Sequence, residues 1–418
     1  MKRVLLPYGR RQLAVGVPDD AVVVEPAHPP ALADEAGAVM EALAAPVSGR
    51  PLADLVRPGD RVAVVFPDIT RPMPNRTVLP PLLAELERLG AGPDRVDLLC
   101  ATGTHRPATD AEMAELVGPE VVARYRIHQH RSDDPDHVVV GRVDGAEVAL
   151  DPRYVAADVR ICTGFVEPHF FAGYSGGPKA VCPGLAADRT ILEAHSPARI
   201  ADPAATWLRT AGNPVHDFIR AAVALCAPTL SIDVALDAGQ RLTAVFCGPL
   251  PDAHQEACAF VERTAVRRVP GRFEVVVTTG GGHPLDRNLY QAVKGMAAAE
   301  RVVADTGTVL LVAACGDGVP AGGAFARLLA AARGPADLAE PGGAAESDRW
   351  QAQVMGRVLR RAEVRLLTDG LSDDEVRAAH LEPAGDLDLA VAQALGAAGP
   401  GARCCVLVQG PLAVATAG

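Results

Sequence analysis

Short β-rich apolar runs alternate with helical patterns along most of the chain, and this alternation constrains the fold more than any other feature. Repeated strand, helix and strand segments close as βαβ units, with the helices covering the faces of a mainly parallel sheet. The first part reads as strands at residues 61–66 (RVAVVF), 96–101 (VDLLCA), 125–130 (YRIHQH) and 158–164 (DVRICTG), with helices over 76–89 and 110–117. Residues 137–150 read as an inserted hairpin turning at Asp144-Gly145. Strands at 231–236 and 243–248 and a helix over 252–266 follow. A second series opens with the strand 274–282 (EVVVTTGGG), which runs into glycines. It continues with a helix over 288–302, a strand at 307–315, helices over 325–332 and 348–362, a strand at 363–370, a helix over 387–398 and a last strand at 403–410. At 418 residues there is room for two or three domains, and VRRVPGRF at 266–273 is the expected boundary. The predicted architecture is α/β, with two mainly parallel βαβ-type domains, residues 1–268 and 269–418, and the site of function in the cleft between them. Residues 333–348 (RGPADLAEPGGAAESD) are expected as a mobile surface loop.

Hydrophobic residues make up 49% of the chain and charged ones 22%, a globular balance that excludes a disordered chain. The net charge of −11 argues against nucleic acid or an anionic membrane surface as partner, so any anionic ligand must meet local cations. No apolar run approaches the roughly 18 residues that a bilayer demands, and MKRVLLPYGRRQ lacks the apolar stretch of a signal peptide. A cytoplasmic protein is expected. The nine cysteines are scattered without a CxxC pair, which indicates reduced core residues rather than a zinc ribbon or a disulfide framework.

Of the 40 basic residues only three are lysine: Lys2, Lys179 and Lys294. In a chain that otherwise uses arginine, a lysine far from the terminus points to a need for a primary amine or a compact ammonium. Lys179 and Lys294 are therefore singled out before any motif is read.

Ligands of open α/β sheets collect at the carboxyl ends of strands, and four loops that follow strands carry unusual polar chemistry. PDITRPMP holds Asp68, Thr70 and Arg71; TGTHRP holds His105; FVEPHFFAGYSGGPKAVCPG holds His169, Gly173, Gly176, Gly177 and Lys179. TGGGHPLDRNLYQAVKG runs into a helix on which Tyr290 and Lys294 share a face, with Gln291 beside them. Each residue alone has an ordinary reading as a capping histidine, a solvated arginine or a tight glycine turn. Their convergence on one sheet edge weakens that reading. GYSGGPKA is no Walker A loop, because Pro178 interrupts Gly-Lys and Ala180 replaces the magnesium-binding hydroxyl, although backbone cradling of a phosphate stays open. No G-x-G-x-x-G follows the first strand, so NAD binding has no support.

Taken together, DITRPMP, ATGTHRP, EPHFFAGYSGGPKAVCPG, EAHSP and PLDRNLYQAVKG, spread over residues 68–294, resemble the nickel-pincer lactate racemases and their homologues. GYSGGPKAVCPG and NLYQAVKG are specific in combination; ATGTHRP alone is weak. In that family a nicotinic-acid-derived mononucleotide, tethered to a lysine, holds nickel through a carbon and two sulfurs and serves the interconversion of 2-hydroxy acid stereoisomers. The resemblance implies Lys179 as the attachment point, His195 of EAHSP as the fourth nickel ligand, and His105 and His169 as an acid/base pair. It implies Asp68, Ile69, Thr70 and Arg71, together with Ser175, Gly176 and Gly177, as residues that hold the cofactor. Arg71, Tyr290, Gln291 and Lys294 are the expected substrate contacts, with Trp350 as a cap on the site or a packing anchor. Cofactor-synthesis proteins are the implied maturation partners.

The chemistry accounts for these residue types. The α-proton of a 2-hydroxy acid is very weakly acidic, since its loss creates a dianion, and hydride transfer to a pyridinium ring avoids that carbanion. One histidine takes the hydroxyl proton for each hand, while Arg71 and Lys294 hold the carboxylate. Two other classes remain: a Schiff-base lysine enzyme of aldolase or decarboxylase type acting on a keto acid, and a non-catalytic binder of an organic acid or nucleotide. His128 and His130 read as a structural strand-end pair, and His283 as a neighbour of the pocket that tunes the substrate.

Overall fold

The apolar runs form the strands of two six-stranded sheets in a computed structural model, which describes residues 1–418 apart from 28, 238, 321–322 and 342–344. The strands begin with β1 (Lys2–Tyr8), β2 (Arg11–Val17), β3 (Val22–Val24), β4 (Val62–Pro67), β5 (Val96–Ala101) and β6 (Arg126–Gln129). Next come the hairpin β7 (Val138–Val143) and β8 (Ala146–Leu150), β9 (Val159–Phe165), and the two-residue strands β10 (Pro168–His169) and β11 (Gly173–Tyr174), which pair with each other. β12 (Leu230–Leu236), β13 (Leu242–Gly248) and β14 (Val266–Val269) lead into β15 (Phe273–Thr279), β16 (Val303–Val312) and β17 (Glu363–Leu367). The last are β18 (Glu382–Pro383), β19 (Cys404–Leu407) and β20 (Val414–Ala417).

The first sheet has the order β13-β12-β9-β4-β5-β6 and is parallel except for β12–β13; the second, β18-β17-β16-β15-β19-β3, is parallel throughout. Strands covered on both faces explain the continuous apolar runs: the first five residues of β4 are all buried. Chain order reverses between β4 and β9 and again between β15 and β19, and at such reversals the outgoing loops diverge and leave a crevice. One buried cluster spans both sheets, joining Val65 and Leu99 to Val276 and Leu311.

The expected strands are present, and Asp144 and Gly145 both take positive φ (49° and 83°), as a two-residue hairpin turn requires. β1, β2 and β3 were not expected. β3 joins the second sheet beside β19, so residues 1–268 do not all stay with the first sheet. Three valines there cover an edge that would otherwise present unpaired N–H and C=O groups, while β1 and β2 pack with Val275, Val277 and Val406. Part of the stretch expected as a mobile loop is instead the helix Pro335–Ala339, which buries Leu338; residues 342–344 of that stretch lie outside the described residues. All nine cysteines are free and all but Cys226 are buried. Among the described residues no helix is long and apolar enough to cross a membrane.

Candidate active site

The loops after β4, β5 and β9 meet the helix Leu289–Glu300 and the first turn of the helix Arg349–Arg361 around one cleft between the two sheets. Asp68, Thr70, Arg71, His105, His169, Ser175, Gly176, Lys179, His195, Tyr290, Gln291, Lys294 and Trp350 all line it. Two expected residues do not. Ile69 turns its apolar side chain into the core of the first sheet, and Gly177 faces the rear of its loop, where its N–H donates to Asp233 Oδ1 at 2.7 Å.

At the mouth, His105 Nδ1 lies 2.8 Å from Asp68 Oδ2. Asp68 is buried at the end of β4 and also accepts from the Thr70 hydroxyl (2.6 Å) and the Thr70 N–H (3.1 Å). Burial pushes its carboxyl up, but the hydrogen bond and charge of His105, with Thr70 and Arg71, more than reverse this and hold it below the usual carboxylate range. A carboxylate only accepts, so the His105 Nδ1 donates to it, and in the neutral ring Nε2 is then the nitrogen with the free lone pair.

Deeper in the cleft, the β10–β11 ladder folds the histidine and lysine segment back on itself. His169 is buried, stacks on Phe170 at 4.8 Å and meets Phe171 edge-on at 4.5 Å. Its Nδ1 accepts the Ala172 N–H at 3.3 Å, so the ring proton sits on Nε2, the opposite setting to His105. Burial, then Lys179, Lys294 and Arg71, hold its pKa well below the ordinary histidine value. Lys179 stands half-buried in the turn Gly177–Ala180, with its Nζ 5.7 Å from the centre of the Phe171 ring. Burial and then the nearby Arg71 charge push its amine down to about 7. His195 ends the helix Asp188–Ala194 and shares a 2.8 Å hydrogen bond between Nδ1 and Ile191 O, which fixes the proton there and frees Nε2 as a donor atom for a metal. Burial, then Lys179, bring this imidazole down to about 3. The Ser175 hydroxyl is committed to its own loop, donating to Phe165 O at 2.8 Å and accepting the Glu167 N–H at 2.9 Å.

The facing wall comes from the second sheet's helices. Asn288 caps the helix Leu289–Glu300 by accepting the Gln291 N–H at 3.0 Å, so the helix begins at the cleft and aims Tyr290, Gln291 and Lys294 along it. Burial and then Arg71 push the Lys294 amine down to about 8. Trp350 Nε1–H donates to the Tyr290 hydroxyl at 3.0 Å, and its ring lies 4.8 Å from that of His195. Gln351, which sequence reasoning passed over, lines the same wall and donates to Tyr290 O. Phe170 and Phe171 were also missed, although an aromatic pair inside a glycine-rich loop is a readable sign of an apolar wall.

The other histidines singled out from the sequence lie elsewhere. His128 bonds Asp97 at 3.1 Å on the sheet, and buried His130 bonds Ala186 O at 3.0 Å. His283 does not line the cleft as expected: it faces Arg10 at 2.9 Å and borders a second crevice between the sheets, because its loop is drawn toward the β1–β2 turn by the His283 N–H bond to Gly9 O.

Residues 8–207 match the lactate racemase N-terminal domain and residues 269–415 the lactate racemase C-terminal domain. The lactate racemase of Thermoanaerobacterium thermosaccharolyticum is 32% identical over 405 residues, 93% of each chain, and that of Lactiplantibacillus plantarum is 33% identical over 427 residues, 98% of this chain and 99% of the other. The lactate racemase apoprotein structure from T. thermosaccharolyticum superposes with a TM-score of 0.93 at 30% identity, covering 99% of this chain and 100% of that one. A Thermotoga maritima protein at 17% identity, TM-score 0.68, covering 92% and 97%, shares the fold. With both domains matched and identity above 30% along nearly its whole length, the chain belongs to the lactate racemase family of isomerases.

Proposed function

We propose that the protein racemises a 2-hydroxy acid, with lactate the first substrate to test, and that it works with a nickel-pincer mononucleotide attached at Lys179. The observation that carries this reading is the meeting of Lys179, His195, His105, His169 and Lys294, from both sheets, in one cleft. The residues fit such a group. Lys179 offers an amine brought down to about 7, so that a large share is free base near neutral pH, and His195 offers an unprotonated ring nitrogen whose partner nitrogen is pinned. Among the described residues no cluster of three or more His, Cys, Asp or Glu can hold a metal ion, so the other donors to nickel must arrive with the cofactor. When bound, the group supplies the acceptor for the hydride of the α-carbon.

The chain's own side chains handle the carboxylate and the proton. Arg71 and Lys294 present cations to the substrate carboxylate. His105 takes the hydroxyl proton at Nε2, and the Asp68 carboxylate 2.8 Å behind it stabilises the imidazolium that results. His169 supplies an Nε2–H donor deeper in the cleft; to serve as the base for the other hand it must exchange tautomer and give up the Ala172 contact. Phe170, Phe171 and Trp350 narrow the space open to water. On this reading residues 1–268 form the unit that bears the cofactor, residues 269–418 the unit that contributes substrate contacts, and cofactor-synthesis proteins are the partners that load it.

Protein made together with a cofactor-synthesis pathway should carry a covalent adduct and nickel. Lys179→Ala should lose both, and His195→Ala should keep the adduct and lose the nickel. Substrate deuterated at the α-carbon should racemise with its label retained; washout into solvent would replace hydride transfer with proton abstraction. One observation favours a second reading, since an amine pushed down to about 7 also suits a Schiff-base enzyme. Borohydride trapping of a keto acid on Lys179 would support that reading.

A further inference from the structure

The segment that presents Lys179 is held from behind by four buried polar side chains. Asn213 Nδ2 donates to Phe171 O at 2.8 Å, His216 Nδ1 to Ala172 O at 3.1 Å and His254 Nε2 to Ser175 O at 2.8 Å, while Asp233 Oδ1 accepts the Gly177 N–H at 2.7 Å. These four side chains are 0–3% exposed and come from the helix Pro214–Ala224 and its cap, from β12, and from the helix Asp252–Ala265. The two imidazoles stack 5.7 Å apart at an interplanar angle of 12°. Every contact goes to the loop's backbone, so the set reads the path of the chain rather than its side chains.

Behind the loop lies a cavity of about 680 Å³, lined by Tyr174 and Pro178 of the loop together with His216 and His254. Phe170, Phe171 and Ala172 anchor the loop in the main core and Tyr174 packs on the helix Asp252–Ala265, while the directional hydrogen bonds set the path of the backbone between these anchors. The fit is tight where contact exists. A Cβ on Gly177 would meet the His254 ring at 2.4 Å, and one on Gly176 would meet Asp233 Oδ1 at 2.7 Å. Asp233 is fully buried, bonds Gly177 N–H and the Ser231 hydroxyl (2.9 Å), and pairs with no cation among the described residues. A buried acid without a paired cation is costly, and the hydrogen bonds it accepts from the Gly177 N–H and the Ser231 hydroxyl offset part of that cost. The link to the amine is short: the Lys179 N–H donates to Gly176 O at 3.1 Å, within the turn that His254 and Asp233 grip.

We propose that Asn213, His216, Asp233 and His254 are positioning residues, a clamp that fixes the Gly176–Lys179 turn so that the Lys179 amine stands in the cleft for cofactor attachment. The attachment part rests on the function proposed above; the placement of the amine does not.

With three lysines in the chain, amine chemistry can be read residue by residue. Apoprotein is treated briefly with acetic anhydride and the Lys179:Lys294 acetylation ratio is taken by peptide mass spectrometry, beside the adduct fraction by intact mass of protein made with the cofactor pathway. His254→Phe keeps an aromatic ring without the N–H donor. It should lower the ratio and the adduct fraction at least about threefold, because the turn relaxes into the rear cavity and takes the amine out of the cleft. His254→Gln restores an N–H donor and should recover most of both, which a purely structural role would not give. Should His254→Phe fail to fold, His216→Phe with rescue by His216→Gln carries the same comparison. A ratio unchanged in a folded Phe variant, or lowered equally in Phe and Gln variants, overturns the clamp. Wild-type protein without an adduct overturns the attachment reading alone, since the acetylation ratio needs no cofactor.

Discussion

His105 and His169 carry the same side chain in opposite settings: one is backed by a carboxylate at the mouth, the other accepts a backbone N–H in the interior. Two enantiomers have equal free energy in water, so kcat/KM must be equal in the two directions whatever the site looks like. The asymmetry can show only in kcat and KM separately. Exchanging the His169 tautomer gives up one long hydrogen bond, about 1 kcal/mol, so kcat and KM should both differ between the hands by a common factor of roughly five. Progress curves from each pure enantiomer measure this, and identical kcat values would mean that the pair is equivalent once substrate binds. Asp68→Asn should lower kcat at least about 100-fold with the Lys179 adduct retained, since the imidazolium loses its counter-charge while the Lys179 attachment point is unchanged and asparagine keeps the side-chain oxygen that accepts from Thr70. Intact mass and a chiral assay on the same sample decide it. Most of these residues were legible because each follows a strand end. Asn213, His216, Asp233 and His254 were not, because they bond backbone groups far away in sequence and follow no residue-type pattern.

Two elements carry consequences of their own. The helix Leu289–Glu300 places Lys294 among apolar neighbours and beside Arg71, which pushes its amine down to about 8 from an ordinary 10.5. Between those values the unfolded chain binds more protons than the folded one, so folding stability rises with pH across that window, and below about 8 the cost of the buried ammonium is fully present. Lys294→Met should therefore stabilise the apoprotein most below pH 8, by about 2 kcal/mol after discounting the lysine's partial exposure, and the gain should vanish toward pH 10.5. Denaturant titrations of both proteins across pH test the sign. In the lysine turn, Gly177→Ala meets both a φ of +50° and the His254 ring, and should cost about 2–4 kcal/mol and the adduct as well. A variant that kept both would show that the turn has slack. Helices such as Asp110–Val117 and Leu387–Ala398 were readable from their periodicity and caps. The helix Pro214–Ala224 was not read, although Asn213-Pro214 is a helix-start signal, and the His216 contact was lost with it.

Across the whole molecule, the buried cluster that joins Val65 and Leu99 to Val276 and Leu311 leaves no separate core for each sheet in that region. Trp207 donates to Ala297 O at 3.2 Å and Gln353 to Pro197 O at 2.9 Å, tying helices of the two halves together. The apoprotein should accordingly unfold in one calorimetric transition, and two resolved peaks would show that the halves hold independently. The parallel α/β plan was legible from strand and helix alternation. The exchange of β3 into the far sheet was not, since a run of three valines carries no mark of its partner. That exchange also sets a timetable. A ribosome adding about 5–20 residues per second reaches β19 roughly 20–80 seconds after it has made β3, about 380 residues earlier. By the end of that interval every strand of the first sheet has been made, while the valines still lack β19, the one strand they pair with. β1 and β2 pair only with each other, so the strand this early segment contributes to the second sheet belongs to a sheet whose other members are all made after it.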